Sequence, residues 1–76
     1  MEYPLYRKLS SGRSYYKIIS EIEFIEIQFI GSRYLIHNFK ISQYPDKLFL
    51  KELISLNSPY EKIPKEEVEK YLTLEK

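Results

Sequence analysis

The stretch Phe24-Ile25-Glu26-Ile27-Gln28-Phe29-Ile30-Gly31-Ser32-Arg33-Tyr34-Leu35-Ile36-His37-Asn38-Phe39-Lys40-Ile41 decides the fold. It sets Gly31-Ser32 between two runs of β-branched and aromatic residues, and glycine at the first turn position is what a type II′ hairpin needs. The turn fixes the pairing: Phe29 meets Tyr34, Ile27 meets Ile36, Glu26 meets His37 and Phe24 meets Phe39. Opposed residues share a face. Phe29, Tyr34, Ile27, Ile36 and Ile25 therefore form an apolar core face. Gln28, Leu35, Glu26, His37, Phe24 and Phe39 form a mixed face, and function is to be sought there.

Upstream, Tyr15 to Ser20 reads as a strand joined to Phe24–Ile30 by a tight connection around Ser20 to Glu23. An even-length connection sets Ile18 against Ile25, Tyr16 against Ile27, Ile19 against Phe24 and Lys17 against Glu26. A slip of one residue would set Lys17 among Ile25 and Ile27, so the pattern selects the first register. Pro4 to Leu9 is a further strand, with Pro4 near its start as on a sheet edge. It is followed by the loop Ser10-Ser11-Gly12-Arg13-Ser14. That loop can close with either parity. Directing Leu5 and Leu9 to the core puts Tyr6 and Lys8 beside Tyr15 and Lys17 on the mixed face.

Downstream, Pro45-Asp46 opens a helix whose apolar side holds Phe49, Leu53 and Leu56, with Leu50 and Ile54 alongside. Asn57 is suited to close it in the left-handed conformation, and Pro59 cannot continue it. Tyr60 to Ile63 is a short extended segment. Pro64 then begins a second helix with Glu66 and Glu67 in its first turn, Val68, Tyr71 and Leu72 on one side, and Lys70 and Lys76 towards its end. The order ββββα, then a short strand and a C-terminal helix, predicts an α+β domain over 1–76: a four-stranded antiparallel sheet with its helices packed on one face.

A chain of 76 residues builds only a modest core. With no Cys it has neither disulfides nor thiolate zinc ligands to reinforce that core. Aromatic residues, at 16%, compensate in part. A net charge of +1 excludes a strongly basic nucleic-acid binder of the usual kind. The front is nevertheless basic, since residues 1–20 carry Arg7, Lys8, Arg13 and Lys17 against Glu2 alone. Neither a signal peptide nor a spanning apolar run is legible, so the expected location is the cytoplasm.

The predicted registers put Lys17, Glu26 and His37 in one row across three strands. A carboxylate between an ammonium and an imidazole could orient an acid–base histidine. No nucleophile or second acid accompanies the row, so cross-strand charge pairing is the better reading. One His and one Asp make no triad and no closed metal site. The loop around Gly12 and Arg13 lacks the lysine and following helix of a phosphate-binding loop. No catalytic residue, metal or cofactor is expected, and the chain reads as non-enzymatic.

What remains is a surface of Tyr6, Lys8, Arg13, Tyr15, Lys17, Glu26, Gln28 and His37. Exposed tyrosines are common anchors of protein interfaces, which points to a protein-interaction or self-associating module. The alternative is weak binding of single-stranded nucleic acid, with bases stacked on Tyr and phosphates tracked by Lys.

Tyr3-Pro4-Leu5-Tyr6-Arg7-Lys8, Ser14-Tyr15-Tyr16-Lys17-Ile18 and the run from Glu23-Phe24 to Gln28-Phe29-Ile30-Gly31 resemble a family of short uncharacterised bacterial proteins. The likeness extends to Pro45-Asp46 and implies no activity. The ββββα order is also similar to the repeat unit of Pur-alpha-like nucleic-acid-binding proteins, without their sequence motifs.

Overall fold

The computed structural model describes residues 2–74. Five strands, β1 (Leu5–Leu9), β2 (Ser14–Ser20), β3 (Glu23–Ile30), β4 (Arg33–Lys40) and β5 (Tyr60–Lys62), form one antiparallel sheet in the order β4-β3-β2-β1-β5. Helix α1 (Tyr44–Ser55) lies between β4 and β5 in the chain, and α2 (Lys65–Leu74) follows β5. The α+β class and element order expected from the sequence are those observed. Lys76, read as the basic end of the second helix, lies outside the described residues.

Gly31 takes φ +61°, and the hairpin it starts holds the expected register from Ile30↔Arg33 to Glu23↔Lys40. The β2–β3 register departs from expectation. Ser20 pairs with Glu23 at the turn, but Ile18 then pairs with Phe24, so Ile19 is an extra residue on β2. Beyond this bulge Lys17 opposes Ile25, Tyr16 opposes Glu26 and Tyr15 opposes Ile27. A bulge of one residue exchanges the two faces of everything beyond it.

The exchange divides the hydrophobic residues between two faces, each with its own helix. Tyr16, Ile18 and Phe24 point to α1 and form a core with Ile41, Leu50 and Leu53. The Tyr16 ring centroid lies 6.0 Å from that of Phe49. Tyr15, one residue earlier, points the other way and meets Tyr71 of α2 at 6.0 Å. Ile27 and Val68 are both fully enclosed on that side of the molecule. The expectation of helices on one face is corrected accordingly: each helix seals its own face. Ile18 and Ile27, expected in one core, sit in two.

β1 is also internal rather than an edge, because β5 pairs along Arg7, Lys8 and Leu9. Leu5 faces α1, as hydrophobicity suggested. Between Leu5 and Leu9 stands Arg7, only 7% exposed. Its guanidinium donates to the carbonyls of Leu53 (2.9 Å), Ile54 (3.2 Å) and Tyr6 (2.9 Å). Helix α1 carries no basic residue in its last turn, so Arg7 supplies the cation that the negative end of the helix dipole favours. Burial lowers the guanidinium pKa below its ordinary value. The helix closes through Leu56 at φ 60° rather than Asn57, and the Asn57 N–H donates to the Glu52 carbonyl.

Two substitutions test this arrangement. Ile27→Ala should cost about 2–5 kcal/mol in chemical denaturation, the usual range for emptying an enclosed isoleucine site. Arg7→Met should cost about 2–3 kcal/mol, because carbonyls at the end of α1 lose charge-assisted donors. A melting curve like wild type for either variant would contradict the packing described.

Candidate functional site

The predicted surface divides into two parts. Tyr6, Lys8, Tyr15 and Lys17 do share a face, with Tyr6 opposite Lys17 and Lys8 opposite Tyr15. It is the face under α2, not the face of Glu26, Gln28 and His37. The side chain that organises it is Glu69 of α2. The Tyr6 hydroxyl donates to Glu69 Oε2 at 2.6 Å, and Lys17 Nζ lies 2.7 Å from the same oxygen. Lys17 thus stands among isoleucines, the position the sequence argued against, because its long stem reaches across them to a carboxylate on the helix.

These contacts show in the titration behaviour. The Lys17 and Tyr6 hydrogen bonds hold the Glu69 carboxyl below the ordinary carboxylate range. Burial, reinforced by Glu69, pushes the Tyr6 phenol up to about 12. Two residues on, Tyr71 is enclosed by three rings, Phe29 at 5.0 Å, Tyr34 at 5.1 Å and Tyr15 at 6.0 Å, all close to edge-to-face. Tyr6, Tyr15 and Lys17 are half-buried by these contacts. Lys8 Nζ lies 3.9 Å from Glu61 Oε1 of β5. Arg13 alone of this group is exposed, on the turn between β1 and β2.

The other part lies on the α1 face. Glu26 and His37 are paired across the strands as expected. Their polar contacts run elsewhere. Glu26 Oε2 accepts from the buried Ser14 hydroxyl at 2.9 Å, and His37 Nε2 lies 3.1 Å from Gln28 Oε1. Tyr16, not Lys17, completes the row. Burial first, then the Glu26 charge, pushes its phenol up to about 12. Among the described residues no group of three or more His, Cys, Asp or Glu is placed to hold a metal ion, and no helix is long and apolar enough to cross a membrane.

Here the sheet ends in β4, whose outer side pairs with no strand among the described residues. The hydrogen bond from the Ile41 N–H to the Ile22 carbonyl continues the β3–β4 ladder and sets its phase. In that phase the N–H and C=O groups of Ile36 and Asn38 point away from β3, to the open side. Leu35 and Phe39, 49% and 39% exposed, lie on the α1 face of this strand with His37 between them. Phe39 stacks on Phe24 at 4.8 Å. Beside this pair a cavity of about 250 Å³ opens among Phe24, Phe39, Phe49, Glu26, Asp46 and Lys40. A larger cavity, about 390 Å³, lies among Tyr3, Ile22, Leu50 and Ile54 and is lined by none of the candidate surface residues.

The sequence reading missed Arg7, Ser14 and Glu69. Each had a signal. Arg7 alternates with two leucines, which marks a buried cation needing carbonyl partners. Glu69 is next to Val68 and two residues before Tyr71, at the margin of the apolar side of its helix. No family model matches the chain, and no curated protein or solved structure does.

A carboxyl held below its ordinary range stabilises the folded state above that range, and this contribution is lost as pH falls through the native value. Glu69→Gln should therefore cost about 1 kcal/mol at neutral pH, and its difference from wild type should shrink on acidification through that value. A difference independent of pH would remove the ion pair from the account. In the alkaline direction, spectrophotometric titration should find the Tyr6 and Tyr16 phenols ionising near 12 rather than with the ordinary tyrosines near 10.

Proposed function

We propose that this chain is a small protein-binding module, without catalysis of its own, that takes an extended segment of a partner protein as an added strand along β4. The observation that carries the reading is the combination at that edge: an eight-residue strand with an open outer side, exposed Leu35 and Phe39 on one face, and an aromatic cavity beside them. Strand addition draws affinity from main-chain hydrogen bonds and specificity from sockets for alternate side chains. A long open edge is otherwise an aggregation hazard that proteins cover or blunt.

A catalytic reading finds less support. Ser14 and Glu26 satisfy one another, as do Gln28 and His37. Stacking of single-stranded nucleic acid is likewise disfavoured, since the rings of Tyr6 and Tyr15 and the ammonium of Lys17 are engaged with α2.

Asn38→Pro provides the test. It removes an outward N–H and leaves the bonds to β3 in place, a substitution that edge strands tolerate. Peptides selected from a random display library on the wild-type protein should shift the amide signals of β4 and bind Asn38→Pro at least about tenfold more weakly, the loss of roughly one backbone hydrogen bond. Selected peptides that map to α2 or to the turn between β1 and β2 would overturn the reading.

A further inference from the structure

We infer that the strand taken up by β4 is acidic at both ends and apolar between them, and is not a second copy of this chain. The inference rests on the reading of β4 as an added-strand site, and adds the chemistry of the partner. β4 carries Arg33 at its start, His37 in its middle and Lys40 at its end, and it has no carboxylate. The side chains of Arg33 and Lys40 are both exposed and enter none of the ion pairs or side-chain hydrogen bonds of the described residues.

Across the ladder the cations of β4 are compensated unequally. Glu23 is opposite Lys40 and Glu26 is opposite His37. Arg33 is opposite Ile30, itself 53% exposed, so its charge has no acid across the ladder. The open edge therefore offers two cations, the more isolated at the hairpin end.

A second copy fits this edge poorly. If two β4 strands paired antiparallel, each would bring the other a second Arg33, His37 and Lys40 and no carboxylate, so neither unpaired cation would gain an acid across the ladder. The cavity sets the remaining requirement. It holds Glu26, Asp46 and Lys40 beside its Phe rings, two carboxylates against one ammonium, so the side chain that fits next to Phe39 is apolar rather than acidic. An incoming antiparallel strand is thus apolar opposite Phe39 and Leu35 and acidic opposite Lys40 and Arg33.

The peptide acetyl-Glu-Leu-Thr-Thr-Val-Leu-Thr-Glu-amide has this pattern, and its counterpart with Lys in place of both Glu reverses the charge. Titrated into isotopically labelled protein, the acidic peptide should shift the amides of Leu35 to Phe39 and bind about fivefold or more tightly than the lysine peptide, the range expected when two exposed pairs change sign. Added salt should narrow the gap. Arg33→Glu should abolish the preference, and Arg33→Glu combined with Lys40→Glu should reverse it. Equal binding of both peptides at β4 would overturn the charge inference and leave strand addition standing. Failure of both peptides to shift β4 would overturn the inference at its base. A dimer seen by sedimentation of the protein alone, and lost in Asn38→Pro, would overturn it by placing a second copy on the edge.

Discussion

One extra residue on β2 governs the rest of this molecule. With Ile19 bulged out of the β2–β3 ladder, Tyr16 and Ile18 turn to one side of the sheet and Tyr15 and Lys17 to the other. Both sides then carry more apolar surface than water tolerates, and neither helix alone can cover both. The result is a sheet between two helices, with α1 over Tyr16, Ile18 and Phe24 and α2 over Tyr15, Phe29 and Tyr34. A chain this short gains by burying both faces, because a one-sided core of this size is marginal.

Each helix is fixed to the sheet by one charged side chain rather than by apolar contact alone. Arg7 reaches from β1 to the carbonyls at the end of α1, and Glu69 reaches from α2 to Tyr6 and Lys17. Apolar packing is broadly tolerant of sliding and rotation, whereas a hydrogen-bonded charge has one good geometry. Tyr6 and Arg7 are consecutive in β1, so that strand anchors the two helices from its two sides. What is left without a cover is the far edge of the sheet, β4, with its apolar and cationic side chains and the cavity at its end.

The hairpin was legible residue by residue, since Gly31-Ser32 admits one register and every pair in it is observed. The class and the order of elements followed from it and from the helix signals at Pro45 and Pro64. The β2 register was not legible in the same way. Neither glycine nor proline marks the bulge in Tyr15-Tyr16-Lys17-Ile18-Ile19, and in this stretch both faces have a claim to the core. Among neighbours within the sheet alone, Glu26 is the favourable partner for Lys17. The stronger partner, Glu69, lies more than fifty positions on, in a helix whose docking side depends on the same bulge. The candidate surface divided for that reason: Tyr6, Lys8, Tyr15 and Lys17 stayed together, while Glu26, Gln28 and His37 went to the opposite face.

The central claim is that the bulge sends neighbouring tyrosines to different helices. Ring-to-ring nuclear Overhauser contacts test it most directly. The account predicts contacts from Tyr16 to Phe49 and from Tyr15 to Tyr71, with none from Tyr15 to Phe49. Contacts between Tyr15 and Phe49, or a Tyr71 ring that touches no residue of the sheet, would contradict it.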